Sequence, residues 1–217
     1  MKRLADGLLR WTEPHPEWGA GDFGAEVASF AVRAGEEGLL IDPLLSSDGW
    51  APVDELFAGA DRVSILITIP YHARSSDELA ARFHARIYGP AGVARRLRDD
   101  SAFTAIEPGD ELPAEVRSFA IGKPRPRGEQ PLYLPSHKAL VFGDAVVEHG
   151  GELRVWCHDQ VDEKVSRFYR ERFNPTLRPL TELDVERVLV THGEPVLSGG
   201  GEALKRALDS DPWYHHG

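Results

Sequence analysis

The stretch Val63-Ser64-Ile65-Leu66-Ile67-Thr68-Ile69-Pro70-Tyr71-His72-Ala73-Arg74-Ser75-Ser76 decides the fold. Its first seven residues make a near-continuous apolar run of strand length, typical of a strand buried on both faces. A proline ends the run, and a loop carrying His72 and Arg74 leads into Ser75-Ser76-Asp77-Glu78. Ser75 and Glu78 have capping-box spacing, and Leu79 and Phe83 supply the apolar spacing of a helix beyond them. Such strand ends are where α/β proteins place functional groups.

Working upstream, Glu26 to Arg33 alternates as a strand does, and Gly35 to Gly38 reads as a tight turn into Leu39-Leu40-Ile41. Two strands with no helix between them make an antiparallel hairpin, which argues against a simple doubly wound fold. Pro52 to Phe57 opens with a proline and acidic residues, as a helix start does. Downstream, a short strand is expected near Ala85 to Tyr88 and a basic helix near Gly92 to Arg98. Arg117 to Ile121, Pro131 to Leu134 and Lys138 to Phe142 read as short strands bounded by Pro, Gly or Ser. Asp162 to Phe173 has helical spacing, Arg187 to Thr191 reads as a buried strand, and Glu202 to Leu208 as a closing helix. This order suits helices covering a pair of packed sheets.

The 217 residues suffice for one sizeable core, and no repeat or linker divides them. One domain over residues 1–217 is expected, with residues 1–24, rich in Trp and Pro, as an amino-terminal extension or apolar flap. A formal net charge of −10 argues against a nucleic-acid backbone as partner, because counterion release needs a basic face. Cys157 is the sole cysteine, so the chain forms no internal disulfide. With no leader-like segment and no apolar run near the roughly 20 residues of a membrane helix, a cytoplasmic protein is expected. An exposed edge strand would allow a homodimer.

Four polar residues follow apolar strands: Asp42 after Leu39-Leu40-Ile41, His72 after the run ending at Ile69, Asp144 after Val141-Phe142-Gly143, and His192 after Val188 to Thr191. Taken singly, each Asp reads as a turn cap and each His as a packing residue. Taken in order, they resemble the metallo-β-lactamase superfamily over roughly residues 27 to 208. The resemblance implies a four-layer αββα sandwich, of mixed α/β (α+β) class, with a site at one edge of two sheets. It makes Asp42 the aspartate of the early strand, Asp144 the metal-bridging carboxylate and His192 the last ligating histidine.

The family's central His-x-His-x-Asp-His is where this chain departs. With His72 at the second histidine, Pro70, Arg74 and Ser75 stand at the other ligand positions, and Arg125 lies nearest the place of a later histidine. Proline offers no donor atom and a guanidinium repels a cation, whereas tetrahedral zinc needs three or four ligands. The resemblance therefore implies no metal, or one divalent ion, zinc first, held by His72, Asp144 and His192; no dinuclear centre is expected. Asp144 and His192 are the catalytic candidates, with Asp42, Arg74 and Arg125 around them. Arg74 is expected to replace the missing metal charge by holding the Asp144 or Asp42 carboxylate. Three functions compete: a small ligand or partner bound in the old cleft, a mononuclear metal-dependent hydrolase, and a structural protein with a filled cleft. Of the other histidines, His137 and His158 are the ones to check for closeness to the site.

Overall fold

Strands that are apolar at nearly every position need cover on both faces, and two packed sheets with helices outside supply it. The computed structural model describes residues 1–19, 23–122 and 128–215. The larger sheet holds seven strands in chain order: β1 (Lys2–Ala5), β2 (Leu8–Pro14), β3 (Glu26–Ala34), β4 (Glu37–Ile41), β5 (Arg62–Leu66), β6 (Arg86–Gly89) and β7 (Phe103–Ala105). The first four are antiparallel, and β4 to β7 run parallel. Helix α1 (Ala51–Leu56) joins β4 to β5, and α2 (Ser76–Phe83) joins β5 to β6.

The second sheet begins with β8 (Arg117–Ser118), β9 (Leu132–Leu134) and β10 (Ala139–Phe142). A separate hairpin of β11 (Val146–His149) and β12 (Glu152–Val155) follows. Then come α3 (Glu163–Phe168), α4 (Asn174–Leu177), β13 (Arg187–Val190) and α5 (Gly200–Asp209). The order in this sheet is β13-β10-β9-β8, with β10 and β13 parallel.

Alternate residues of one strand serve different layers. Phe30, Leu39, Ile41, Leu132, Val141 and Leu189 fill the space between the sheets. Their neighbours Leu40 and Ile65 pack outward with Val53 of α1 and Leu79 of α2. On the other side Leu140, Phe142, Val188 and Val190 pack with Leu177, Leu204 and Leu208. Each such fully buried side chain contributes roughly 1.5–3 kcal/mol. The fold is the αββα sandwich that the sequence predicts.

Several local readings change. Residues 2–14 are not a flap: they form β1 and β2, and β2 pairs with β3 from Leu8↔Val32 to Pro14↔Glu26. Burial of Leu8, Leu9 and Trp11 drives this, and the Trp11 indole N–H donates to the Leu44 carbonyl at 3.0 Å. The Ser75–Glu78 capping box does not form, because the Ser75 hydroxyl accepts the Leu45 N–H at 3.1 Å and Glu78 pairs with Arg98. The basic helix is a short 3-10 segment, Ala91–Arg95. Asp162 does cap α3, accepting the Val165 N–H at 2.7 Å. The helix then widens into one π turn, Tyr169–Phe173, a form common at functional sites.

Candidate functional site

The carboxyl ends of β4, β5, β10 and β13 lie at one edge of the sandwich, so the four polar residues that follow them meet. Asp42, 1% exposed, leaves β4 with a left-handed backbone (φ +47). Its Oδ1 accepts the Thr68 N–H at 2.8 Å and its Oδ2 accepts the Thr68 hydroxyl at 2.5 Å. Oδ2 also lies 2.9 Å from Nδ1 of His72. Because a carboxylate only accepts, Nδ1 carries the proton there, and the bond orients the ring. Proline starts the 3-10 turn Pro70–Ala73 that carries His72, a position where its missing N–H costs nothing. Nε2 of His72 then points to Oδ1 of Asp144 at 3.3 Å.

Burial and the Arg74 charge pull the His72 pKa down, but Asp144 and Asp42 outweigh them and hold it above its ordinary value. Burial pushes the Asp144 carboxyl up, yet His72 and His192 dominate and hold it well below the usual carboxylate range.

Gly143 precedes Asp144 because nothing larger fits: a Cβ there would lie 2.7 Å from Oγ1 of Thr68. The loop it opens is held by Glu129, a buried carboxylate in which Oε1 accepts Gly143 N–H at 2.9 Å. Oε2 accepts the N–H groups of Asp144 and Ala145 at 2.9 and 2.7 Å. Burial and the Asp144 charge push Glu129 up to about 7 against the pull of those three donors.

On the last strand, His192 places Nε2 3.6 Å from Oδ1 of Asp144. Beyond these two charge contacts that oxygen has no hydrogen-bond partner, and Nδ1 of His192 has no hydrogen-bond partner either. The backbone around His192 is well held. Its carbonyl accepts Glu148 N–H at 3.0 Å, Glu194 N–H donates to the Glu148 carboxylate at 2.7 Å, and Arg10 donates to the Gly193 carbonyl at 2.7 Å.

Arg74 does not hold either carboxylate. Its Nη1 donates to the backbone carbonyls of Asp42 (2.9 Å) and Ala28 (3.2 Å), and no carboxylate comes within 4.0 Å among the described ion pairs. The left-handed backbone at Arg74 (φ +40) turns the side chain back along the loop toward β3 and β4, where those carbonyls lie. Burial lowers its pKa to about 10, while Asp42 and Asp144 act in the opposite direction. Arg125 lies outside the described residues. His137 is elsewhere, its Nε2 3.1 Å from the Asp6 carbonyl, whereas His158 lines the cleft, as do His15 and His215.

The cleft above these groups is open, with a volume of about 820 Å³. Trp18, Phe23, Tyr71, Trp156, Phe168 and Tyr169 line its walls, and His72, Arg74, Asp144 and His192 its floor. The filled cleft expected of a structural protein is not what the chain builds. A metal fits poorly. Both imidazole Nε2 atoms face one oxygen of Asp144. Only His72 has the supporting carboxylate that a ligating histidine uses. Among the described residues no group of three or more His, Cys, Asp or Glu side chains is placed to hold a metal ion.

Thr68, Glu129, Glu148 and Arg10 are the site residues that sequence reasoning does not find. Thr68 could have been suspected as the polar residue at the end of its strand. Glu129 acts on a loop 14 residues later, and no spacing marks it.

No protein-family model matches the chain, and no curated protein matches it. Solved structures do. One is a metallo-β-lactamase from Erythrobacter litoralis with β-mercaptoethanol in the active site, at 15% identity over 96% of this chain and 93% of that one, with a TM-score of 0.64. A metallo-β-lactamase family protein from Thermus thermophilus is 16% identical over 95% of this chain and 78% of that one, with a TM-score of 0.59. A chemotaxis sensor in a peroxy diiron form is 17% identical over 84% of each chain, with a TM-score of 0.56. A likeness at this level of identity speaks for a shared architecture. The likeness to these structures shows that this chain has the metallo-β-lactamase fold.

Proposed function

We propose that this protein binds a small, largely apolar molecule in the cleft and does so without a dinuclear metal centre. The observation that carries this reading is the open, aromatic-walled volume of about 820 Å³ directly above Asp144. Clefts of this size and lining, with a few polar groups at the base, are the usual form of a small-molecule site. Pro70 and Arg74 at the family's ligand positions, and an Asp144 flanked by two imidazoles, support the absence of a two-metal clamp.

Titration with the neutral, polarity-sensitive dye prodan tests the binding. Saturable one-to-one emission gain, weakened in Tyr169→Ala, is expected; no saturable binding overturns the reading. A mononuclear hydrolase rests on the convergence of His72, Asp144 and His192 on one point. Elemental analysis after incubation with zinc separates the two, with less than about a tenth of an equivalent expected and near one equivalent supporting the hydrolase.

A further inference from the structure

The polar groups of the cleft bear on the charge of a ligand as well as on its size, and the carboxylate of Asp144 is one of them. Oδ1 of Asp144 is enclosed, while the side chain as a whole keeps 23% exposure, which lies on its remaining atoms. Among the described residues none donates a hydrogen bond to Oδ2, and His72 and His192 both address the opposite oxygen.

Among the described residues, two donors that could favour an anion, Arg74 and His72, are withdrawn. Nη1 of Arg74 is engaged by two backbone carbonyls, and its Nε and Nη2 are enclosed without partners. The His72 side chain is 4% exposed. Among the described residues, Glu17, Glu129 and Asp144 add three carboxylates to the lining and Arg74 one guanidinium, beside the imidazoles of His15, His72, His158, His192 and His215. Glu129 is saturated by three N–H groups and Glu17 faces Arg96 at 3.6 Å, whereas Asp144 lies on the floor with no cation of Lys or Arg paired to it among the described residues.

The walls suit the same charge. Aromatic faces attract cations, and the protein already uses one in this way: the Arg96 guanidinium lies 4.4 Å from the Tyr71 ring centre. Trp18, Tyr71 and Phe168 are each close to half exposed and belong to the cleft, with Trp156 and Tyr169 also in its walls.

We propose, on the ligand-binding reading above, that the cleft takes an organic ammonium compound. Its charged nitrogen sits at Oδ2 of Asp144, and its apolar body lies against the aromatic walls. Three near-isosteric probes test this by isothermal titration calorimetry: 2-phenylethylammonium, 2-phenylethanol and 3-phenylpropionate. The ammonium is expected to bind on the order of tenfold tighter than the alcohol, with the carboxylate weakest. In Asp144→Asn the ammonium and the alcohol should bind alike.

Carboxylate binding equal to or tighter than ammonium binding overturns the proposal, as does an ammonium preference that survives Asp144→Asn. Should that variant not fold, the ranking of the three probes on the unaltered protein decides. Alcohol bound as tightly as ammonium ends the ammonium assignment and leaves the ligand-binding reading standing; failure of all three probes and of prodan ends both.

Discussion

The two halves of the site are built on different plans. On the β4–β5 side the side chains themselves are locked: Asp42 accepts from Thr68 twice and from His72, and Arg74 is tied to two carbonyls. On the β10–β13 side the backbone is locked, by Glu129, Glu148 and Arg10, while the side chains of Asp144 and His192 keep unpartnered atoms. In the first half the Asp42 carboxylate is fully engaged, although Nε and Nη2 of Arg74 stay enclosed without partners. The second half holds its groups in place without using them up. The ligand proposed above would therefore find its contacts on the second half.

The largest break in this contrast comes from Asp42→Ala. It strands the Thr68 N–H, the Thr68 hydroxyl and Nδ1 of His72 in a buried place, and should cost about 3–5 kcal/mol in urea denaturation. Glu129→Ala strands three backbone N–H groups and should cost roughly 2–4 kcal/mol. Glu129→Gln should recover only part of that, because its amide nitrogen cannot accept from them.

A pH series sharpens the comparison where the halves touch. His72 titrates above its ordinary 6.5, so its contribution is complete below that value and is lost as pH rises through the raised one. Asp144 titrates below its ordinary 3.8, so its contribution is complete above that value and is lost as pH falls through the lowered one. The stability gap between the wild type and Asp144→Asn should be widest between pH 3.8 and 6.5 and shrink on either side. A gap independent of pH would mean the two residues do not interact. The smallest effect is expected for His192→Ala, below about 1 kcal/mol, because Nδ1 has no hydrogen-bond partner and Nε2 stands 3.6 Å from Asp144. Urea midpoints for His192→Ala and His72→Ala, measured side by side, check that difference.

What was legible in the sequence follows the same division. Asp42, His72, Asp144 and His192 could be placed because each follows an apolar strand, and strand ends converge by topology. The partners that hold the second half could not. Glu129 sits beyond a Pro- and Arg-rich stretch and reaches Gly143 only because β9 and β10 fold back on each other. The aromatic walls were equally hidden, since Tyr169 and Phe173 belong to a π turn that a helical repeat does not foretell. Arg74 was expected at the site and is there, but it binds a carbonyl in place of a carboxylate, a choice set by a left-handed backbone that no composition reveals.

Arg10 carries a consequence for how the molecule is assembled. It is separated from Gly193 by 183 positions and from Glu194 by 184, and it grips both. During synthesis the early strands of the larger sheet can pair soon after they emerge, but the His192 loop has no anchor until nearly the whole chain has been made. Contacts of such long range are slow to form and come late. The scaffold thus precedes its own cleft in time, and a nascent chain stopped short of β13 would own the larger sheet and a floor still lacking His192.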